Sequence, residues 1–178
     1  MDTLPDYLTP ELDLVFVGIN PSIMSARLGH YYANPRNRFW RVFNACELAE
    51  THLSCEMDHQ ILGYNMGFTD LVKRPTRGVS DLTISDYRQG VQELKSKLEF
   101  YQPLLICFQG ITAYRQYLHL IGKDSRVVAL GKQTEKIGNS IVFVVPNPSP
   151  ANARFNLSTL IDWSRKLKDL RDDLKQDT

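Results

Sequence analysis

Asn-Pro-Ser occurs twice in this chain, each time directly after an apolar run: in Gly18-Ile19-Asn20-Pro21-Ser22 and in Pro146-Asn147-Pro148-Ser149-Pro150. Each Asn carries an amide that can both donate and accept, and each Pro stiffens the turn that holds it. A lone Asn-Pro only marks a turn. Two copies at the same edge of one sheet would instead form a shared polar site. After the first copy runs G-H-Y-Y-A-N-P-R-N-R-F-W, Gly29 to Trp40. There Tyr31 and Tyr32 could stack on a planar ligand or simply cover the core. Arg36, Arg38 and Arg41 could meet phosphates or stand in solvent. Lys73-Arg74-Pro75-Thr76-Arg77 is a second basic turn, suited to a DNA backbone if it lies at the same edge. Cys46, His52, Cys55 and His59 are all possible zinc ligands, but their spacing fits none of the usual finger patterns.

These groups need a scaffold, and the apolar periodicity supplies one. Asp13 to Ile19 reads as a buried strand ending at a glycine, and Asn20 to Asn37 reads as one long loop of the kind that is usually functional. Phe39, Trp40, Val42, Phe43 and Leu48 then suggest a helix with a thick apolar face. Val91, Leu94, Leu98 and Tyr101 recur at helical intervals from Tyr87, with Thr83 and Asp86 placed to box the helix start. Leu104 to Phe108 reads as a second strand, about Thr112 to Leu120 as a helix, and Ile141 to Val145 as a third strand. The final helix carries Leu160, Trp163, Leu167, Leu170 and Leu174 on one stripe, with Arg165, Lys168 and Asp172 turned outward. Apolar strands alternating with helices predict a three-layer α/β/α fold with a mostly parallel sheet, formed as one domain over residues 1–178. Ligands of such sheets bind beyond the carboxyl ends of the strands.

The bulk properties narrow the classes. With 178 residues, 43% hydrophobic and 23% charged, the chain suits a compact domain with a full-sized core. A formal net charge of +1 weighs against a non-specific DNA coat, though not against an enzyme that grips DNA through a local basic surface. Met1 to Pro10 has no signal-peptide pattern, and three cysteines form no disulfide framework. A cytoplasmic protein in a prokaryote, or a nuclear one in a eukaryote, is the expectation, with no membrane partner.

The motifs together resemble the mismatch-specific uracil-DNA and thymine-DNA glycosylases of the uracil-DNA glycosylase superfamily. The likeness begins with G-I-N-P at Gly18 to Pro21 and passes through G-H-Y-Y and N-R-F-W at Asn37 to Trp40. It continues with G-F-T-D-L-V-K-R-P-T at Gly67 to Thr76, G-K-Q-T at Gly131 to Thr134, and N-P-S…A-R over Asn147 to Arg154. It closes on K-L-K-D-L-R-D in the final helix. The specific part is G-I-N-P with N-R-F-W; N-P-S alone would be weak.

The resemblance implies a monofunctional enzyme that flips uracil out of mispaired duplex DNA and hydrolyses its N-glycosidic bond, the first step of base-excision repair. It implies a monomer without cofactor or metal, and downstream partners that process the abasic site. Asn20 matches the residue that orients the attacking water; an amide carbonyl holds a water but is too weakly basic to take its proton. Gly18, Ile19, Pro21 and Ser22 would surround the base, Tyr32 would stack on it with Tyr31 beside it, and Ser25 would lie near its C5. Asn147, Pro148, Ser149, Pro150, Ala151, Asn152 and Arg154 match the loop that fills the gap left by the flipped nucleotide, with Arg154 as the expected wedge. Arg36, Arg38, Lys73, Arg74 and Lys132 would form one DNA-facing basic surface. Three departures stand out: a longer second motif, Ser22 in place of the usual glycine, and Asp70, a carboxylate where relatives carry Lys or Asn. Asp70 is expected either to serve as a second catalytic group or to cap an exposed turn. The competing readings are a glycosylase-fold DNA-binding protein without catalysis and a zinc-dependent nucleic-acid enzyme.

Overall fold

A computed structural model describes residues 2–177. Five strands form one sheet in the order β2-β1-β3-β5-β4. These are β1 (Leu14–Gly18), β2 (Met66–Asp70), β3 (Leu105–Gln109), β4 (Gly131–Lys132) and β5 (Ile141–Val145). All neighbours run parallel except β4, which pairs antiparallel with β5. The three expected strands are present, joined by β2 and by the two-residue β4. The four parallel strands are in register, so Gly18 lies beside Asp70 and Gln109 beside Val145 at their carboxyl ends.

Side chains alternate across the sheet and so feed two cores. From β1, Leu14 and Phe16 enter the core shared with α2 (Phe39–Ala45) and α5 (Leu157–Gln176), while Val15 and Val17 enter the core on the opposite face. That second core is covered by α3 (Ile84–Tyr101) and α4 (Ile111–Leu120). The first is rich in aromatics: Phe16 meets Phe39 edge-on at 5.2 Å, and Phe68 touches Tyr31, Phe39 and Trp40. The capping box at Thr83 and Asp86 starts α3 as expected, and Gln102 closes it in a left-handed conformation. Arg171, which the stripe pattern left unremarked, is buried in α5 and donates to the Leu48 carbonyl at 2.8 Å.

Two expectations are corrected. The segment Asn20 to Asn37 is not one loop, because it contains α1 (Ile23–Leu28). The Ser22 side chain accepts from the Ser25 backbone N–H, and Gly29 ends the helix with φ of 77°, the position where a side chain is strained. Asp70 does not sit on an exposed turn. It is the last residue of β2, and a strand was missed there because M-G-F-T-D lacks a continuous apolar run. Gly67 in that strand is required by the N-terminal segment: a Cβ there would come within 2.2 Å of the Tyr7 carbonyl oxygen. Tyr7 pairs with Phe68 through both backbone hydrogen bonds, so residues before β1 line the outer edge of β2.

Candidate active site

A cleft of about 360 Å³ opens over the carboxyl ends of β1, β2 and β3 and reaches the loop after β5. Gly18, Asn20, Asp70, Gln109 and Asn147 all line it, so both Asn-Pro-Ser segments contribute, as their shared position after strands implied. The backbone pairing of β1 with β2 continues past the strands. Leu71 and Val72 donate to Gly18 and Ile19, and the turn at Thr76 bonds to Pro21 and Ile23. The basic turn is thereby fastened to the G-I-N-P segment.

That fastening fixes Asn20. Its Nδ2 donates to the Arg74 carbonyl at 2.9 Å, to Thr76 Oγ1 at 2.8 Å and, at 3.3 Å, to the Pro21 carbonyl. Thr76 spends its single hydroxyl proton on the Gly78 carbonyl at 2.8 Å, so it can only accept from Asn20. The amide cannot turn over without losing these bonds. Its Oδ1 is the group left for the cleft, an acceptor suited to holding a water.

Asp70 is 5% exposed, and its Oδ2 is buried without a hydrogen-bond partner. Burial pushes its pKa up to about 7 against the pull of Lys73, whose Nζ lies 4.0 Å away. A carboxylate in this state takes and releases a proton near neutral pH. Gly18 permits the arrangement, since a Cβ on it would lie 2.5 Å from Asp70 Oδ1. Asn20 and Asp70 thus offer two acceptors of different basicity in one cleft wall.

The aromatic pair divides. Tyr32 stacks on Phe39, with ring centroids 4.0 Å apart and planes 12° apart, and has φ of 54°. Tyr31 is buried with its ring stacked on Phe68 and its hydroxyl donating to the Pro5 carbonyl, whereas Tyr32 is only half-buried. Burial, together with the charge of Asp70, raises both phenol pKa values and keeps them protonated. Ser25 lines the cleft from α1, where its Oγ accepts from the Ala33 N–H at 3.2 Å. Ile19, Pro21 and Ser22 complete this wall, with the Ser22 hydroxyl turned into its capping bond.

The loop after β5 forms the opposite wall, with Ser149, Pro150 and Ala151 at the cleft. Asn147 Oδ1 accepts from the Ser149 N–H at 2.8 Å, and the Asn147 carbonyl accepts from the Asn152 side chain at 2.9 Å. Pro148 is buried beneath them. Arg154 is exposed outside the cleft lining, its guanidinium 5.4 Å from the Phe155 ring centroid.

The basic residues expected on one surface do not all line the cleft. Arg36 lines the cleft, together with Arg77. Arg38 instead turns into the second loop and donates to the carbonyls of Pro148, Ser149, Asn152 and Phe155. Lys73 is paired with Asp6 and Arg74 with Asp86, each occupied by a nearby carboxylate. Lys132 lies in β4, exposed and outside the cleft lining. Sequence reasoning missed Thr76, Gln109 and Asp6. Gln109 was signalled by a polar residue closing an apolar strand, but nothing local marks the other two. Cys46 is buried in the core between α2 and α5, and no three His, Cys, Asp or Glu side chains gather as a metal-holding group among the described residues. Nor is any helix among them long and apolar enough to cross a membrane.

Comparison with known proteins identifies the frame. The family model described as the uracil DNA glycosylase superfamily matches residues 5–173. The solution NMR structure of a protein from Methanosarcina acetivorans, described as a candidate uracil DNA glycosylase, superposes with a TM-score of 0.58 over 98% of both chains at 22% identity. At that identity the structural likeness speaks for the fold.

Proposed function

We infer the chemistry from one premise: the chain belongs to the uracil DNA glycosylase superfamily and is a DNA glycosylase, a hydrolase of N-glycosyl bonds. We propose that it removes uracil from mispaired duplex DNA, as the first step of base-excision repair, with the base flipped into the cleft over β1 and β2. The carrying observation is the pair of acceptors there: Asn20 Oδ1, fixed by three bonds to its Nδ2, and the buried carboxyl of Asp70. Breaking the glycosidic bond develops positive charge on the sugar and negative charge on the departing base. Asn20 would hold the water, and Asp70, ionised above about pH 7, would accept its proton as the water adds to C1′. Tyr32 would cover the base, while the segment Asn147 to Ala151 would approach the gap in the duplex. Arg36 and Arg77 at the cleft are the exposed cations best placed for phosphates.

The test is single-turnover release of uracil from G·U duplex, A·U duplex and single strands of one sequence. A G·U pair is the easier to open and leaves an orphaned guanine for the loop, so G·U should be cleaved fastest. Faster cleavage of A·U or of single strands would remove the mispair from the assignment. Thymine opposite guanine should react more slowly than uracil, because Ser25 and Tyr31 crowd the cleft and one methyl costs about 1–3 kcal/mol.

A further inference from the structure

Asp70 lies among charges that come from three different parts of the chain. The turn after β2 brings Lys73, the N-terminal segment brings Asp6, and α3 brings Lys97. The loop after α1 brings the neutral phenols of Tyr31 and Tyr32, and β1 offers only the backbone of Gly18. Lys73 is the nearest cation, yet it forms only a long ion pair with Asp70 and no hydrogen bond. Its Nζ is 2.7 Å from Asp6 Oδ1 and 3.4 Å from the Tyr31 hydroxyl, but 4.0 Å from Asp70 Oδ2.

Asp6 is built to hold it there. Its Oδ1 also accepts from Thr69 Oγ1 at 2.8 Å, and its Oδ2 accepts from Lys97 Nζ at 2.7 Å. Its backbone is pinned by the two Tyr7–Phe68 hydrogen bonds and by the bond from Tyr31 to the Pro5 carbonyl. Burial works against the charge on Asp6, but the two lysines and Thr69 outweigh it and leave the carboxyl below its ordinary range. Asp6 is therefore held as an anion at neutral pH, and both of its oxygens are occupied.

We propose that Asp6 is a positioning residue for catalysis: by holding the Lys73 ammonium at the N-terminal segment, it keeps that ammonium from closing onto Asp70. A lysine in direct contact would lower the proton affinity of Asp70, and a weaker base activates water less well. The inference rests on the reading of Asp70 as a catalytic group, and the experiment below separates the two.

Two readouts are taken between pH 4 and 9: single-turnover uracil release, and the carboxyl carbon resonance of Asp70 by NMR. The proteins are the native chain, Asp6→Asn, Lys73→Met, the double variant and Asp70→Asn. In Asp6→Asn the released Lys73 reaches Asp70, so the midpoint of the Asp70 resonance should fall by about 1–2 pH units. The acid limb of the rate should fall with it, and the plateau rate should drop several-fold as basicity is lost. Lys73→Met keeps Asp6 seated by Lys97 and Thr69, and should raise the midpoint by less than about one unit. In the double variant the fall caused by Asp6→Asn should largely vanish, because no ammonium remains to move.

An unmoved midpoint in Asp6→Asn overturns the proposal, as does an equal fall with and without Lys73, which would make Asp6 a distant charge only. If Asp6→Asn does not fold, Lys73→Met decides alone: a rise of several units would mean that Lys73 already grips Asp70. Retention of the acid limb by Asp70→Asn would instead defeat the catalytic reading of Asp70, while the resonance midpoints still report whether Asp6 restrains Lys73.

Discussion

The same tripeptide, Asn-Pro-Ser, ends two strands of one sheet and is used in opposite ways. At Asn20 the amide nitrogen is bound by the turn at Arg74 to Thr76, and the oxygen is left to the cleft. At Asn147 the oxygen is bound by the next residue but one, and the backbone carbonyl by Asn152. One Asn is held from outside so that it can present an acceptor; the other spends its acceptor in shaping its own loop. The residue type is shared, but the partners decide which end of the amide is available. Likeness of motif therefore locates a site without assigning roles within it.

The sharpest way to break this contrast is to remove each side chain in turn. Asn20→Ala should lower single-turnover cleavage by two or more orders of magnitude, roughly 3 kcal/mol of barrier, with the circular dichroism spectrum unchanged. Asn147→Ala should cost less than about tenfold in the same step and act mainly on duplex affinity. Comparable losses in cleavage would put the two residues in one role.

Asp70→Asn separates the cost of the wall from its use. The folded-state pKa of about 7 lies above the ordinary aspartate value of 3.8, so the native chain binds more protons than the unfolded one between those values. Stability is therefore lost as pH rises from about 4 through 7, and the variant escapes that loss. About three units corresponds to a ceiling of roughly 4 kcal/mol, offset by burying an amide without a partner. A net gain of about 2 kcal/mol at pH 8, crossing zero on acidification and becoming a net loss of about 2 kcal/mol by pH 4, should appear in thermal melts. A variant less stable than the native chain at pH 8 would mean that the buried carboxyl is not a burden on the fold.

Arg38→Met tests the second loop from beneath. With four carbonyls losing their shared donor, duplex affinity should fall about tenfold, while cleavage at saturating enzyme stays near native. Equal losses in affinity and cleavage would tie this loop to the chemistry. The smallest effect is expected for Thr76→Val, which takes one acceptor from Asn20 and leaves the Arg74 carbonyl. About fivefold slower cleavage with unaltered affinity would show that the amide's orientation matters as well as its presence.

The sequence made β1, β3 and β5 legible because strands buried on both faces are written as continuous apolar runs. It hid β2, whose Gly67 accommodates a crossing backbone, whose Thr69 bonds to Asp6 far along the chain, and whose Asp70 is buried without a hydrogen-bond partner. It also hid α1, though Ser22 and Gly29 are ordinary start and stop residues, because the intervening turn residues resembled a loop. In the site, Asn20 and Tyr32 were visible from their motifs. The engagement of Arg38 was not, since its partners are backbone carbonyls more than a hundred positions away and leave no trace in residue type. Thr76 and Asp6 were hidden because their partners are side chains tens of positions away, Asn20 for the one and Thr69, Lys73 and Lys97 for the other.

The pairing of Tyr7 with Phe68 has a consequence for the life of the protein outside its reaction. An uncovered β2 would offer a row of unpaired N–H and C=O groups to any other extended chain, the usual nucleus of sheet-to-sheet aggregation. The N-terminal segment occupies part of that edge and brings Pro5, which lacks the N–H a ladder needs, beside the charged Asp6. The same few residues that restrain a lysine also act as a guard against self-association.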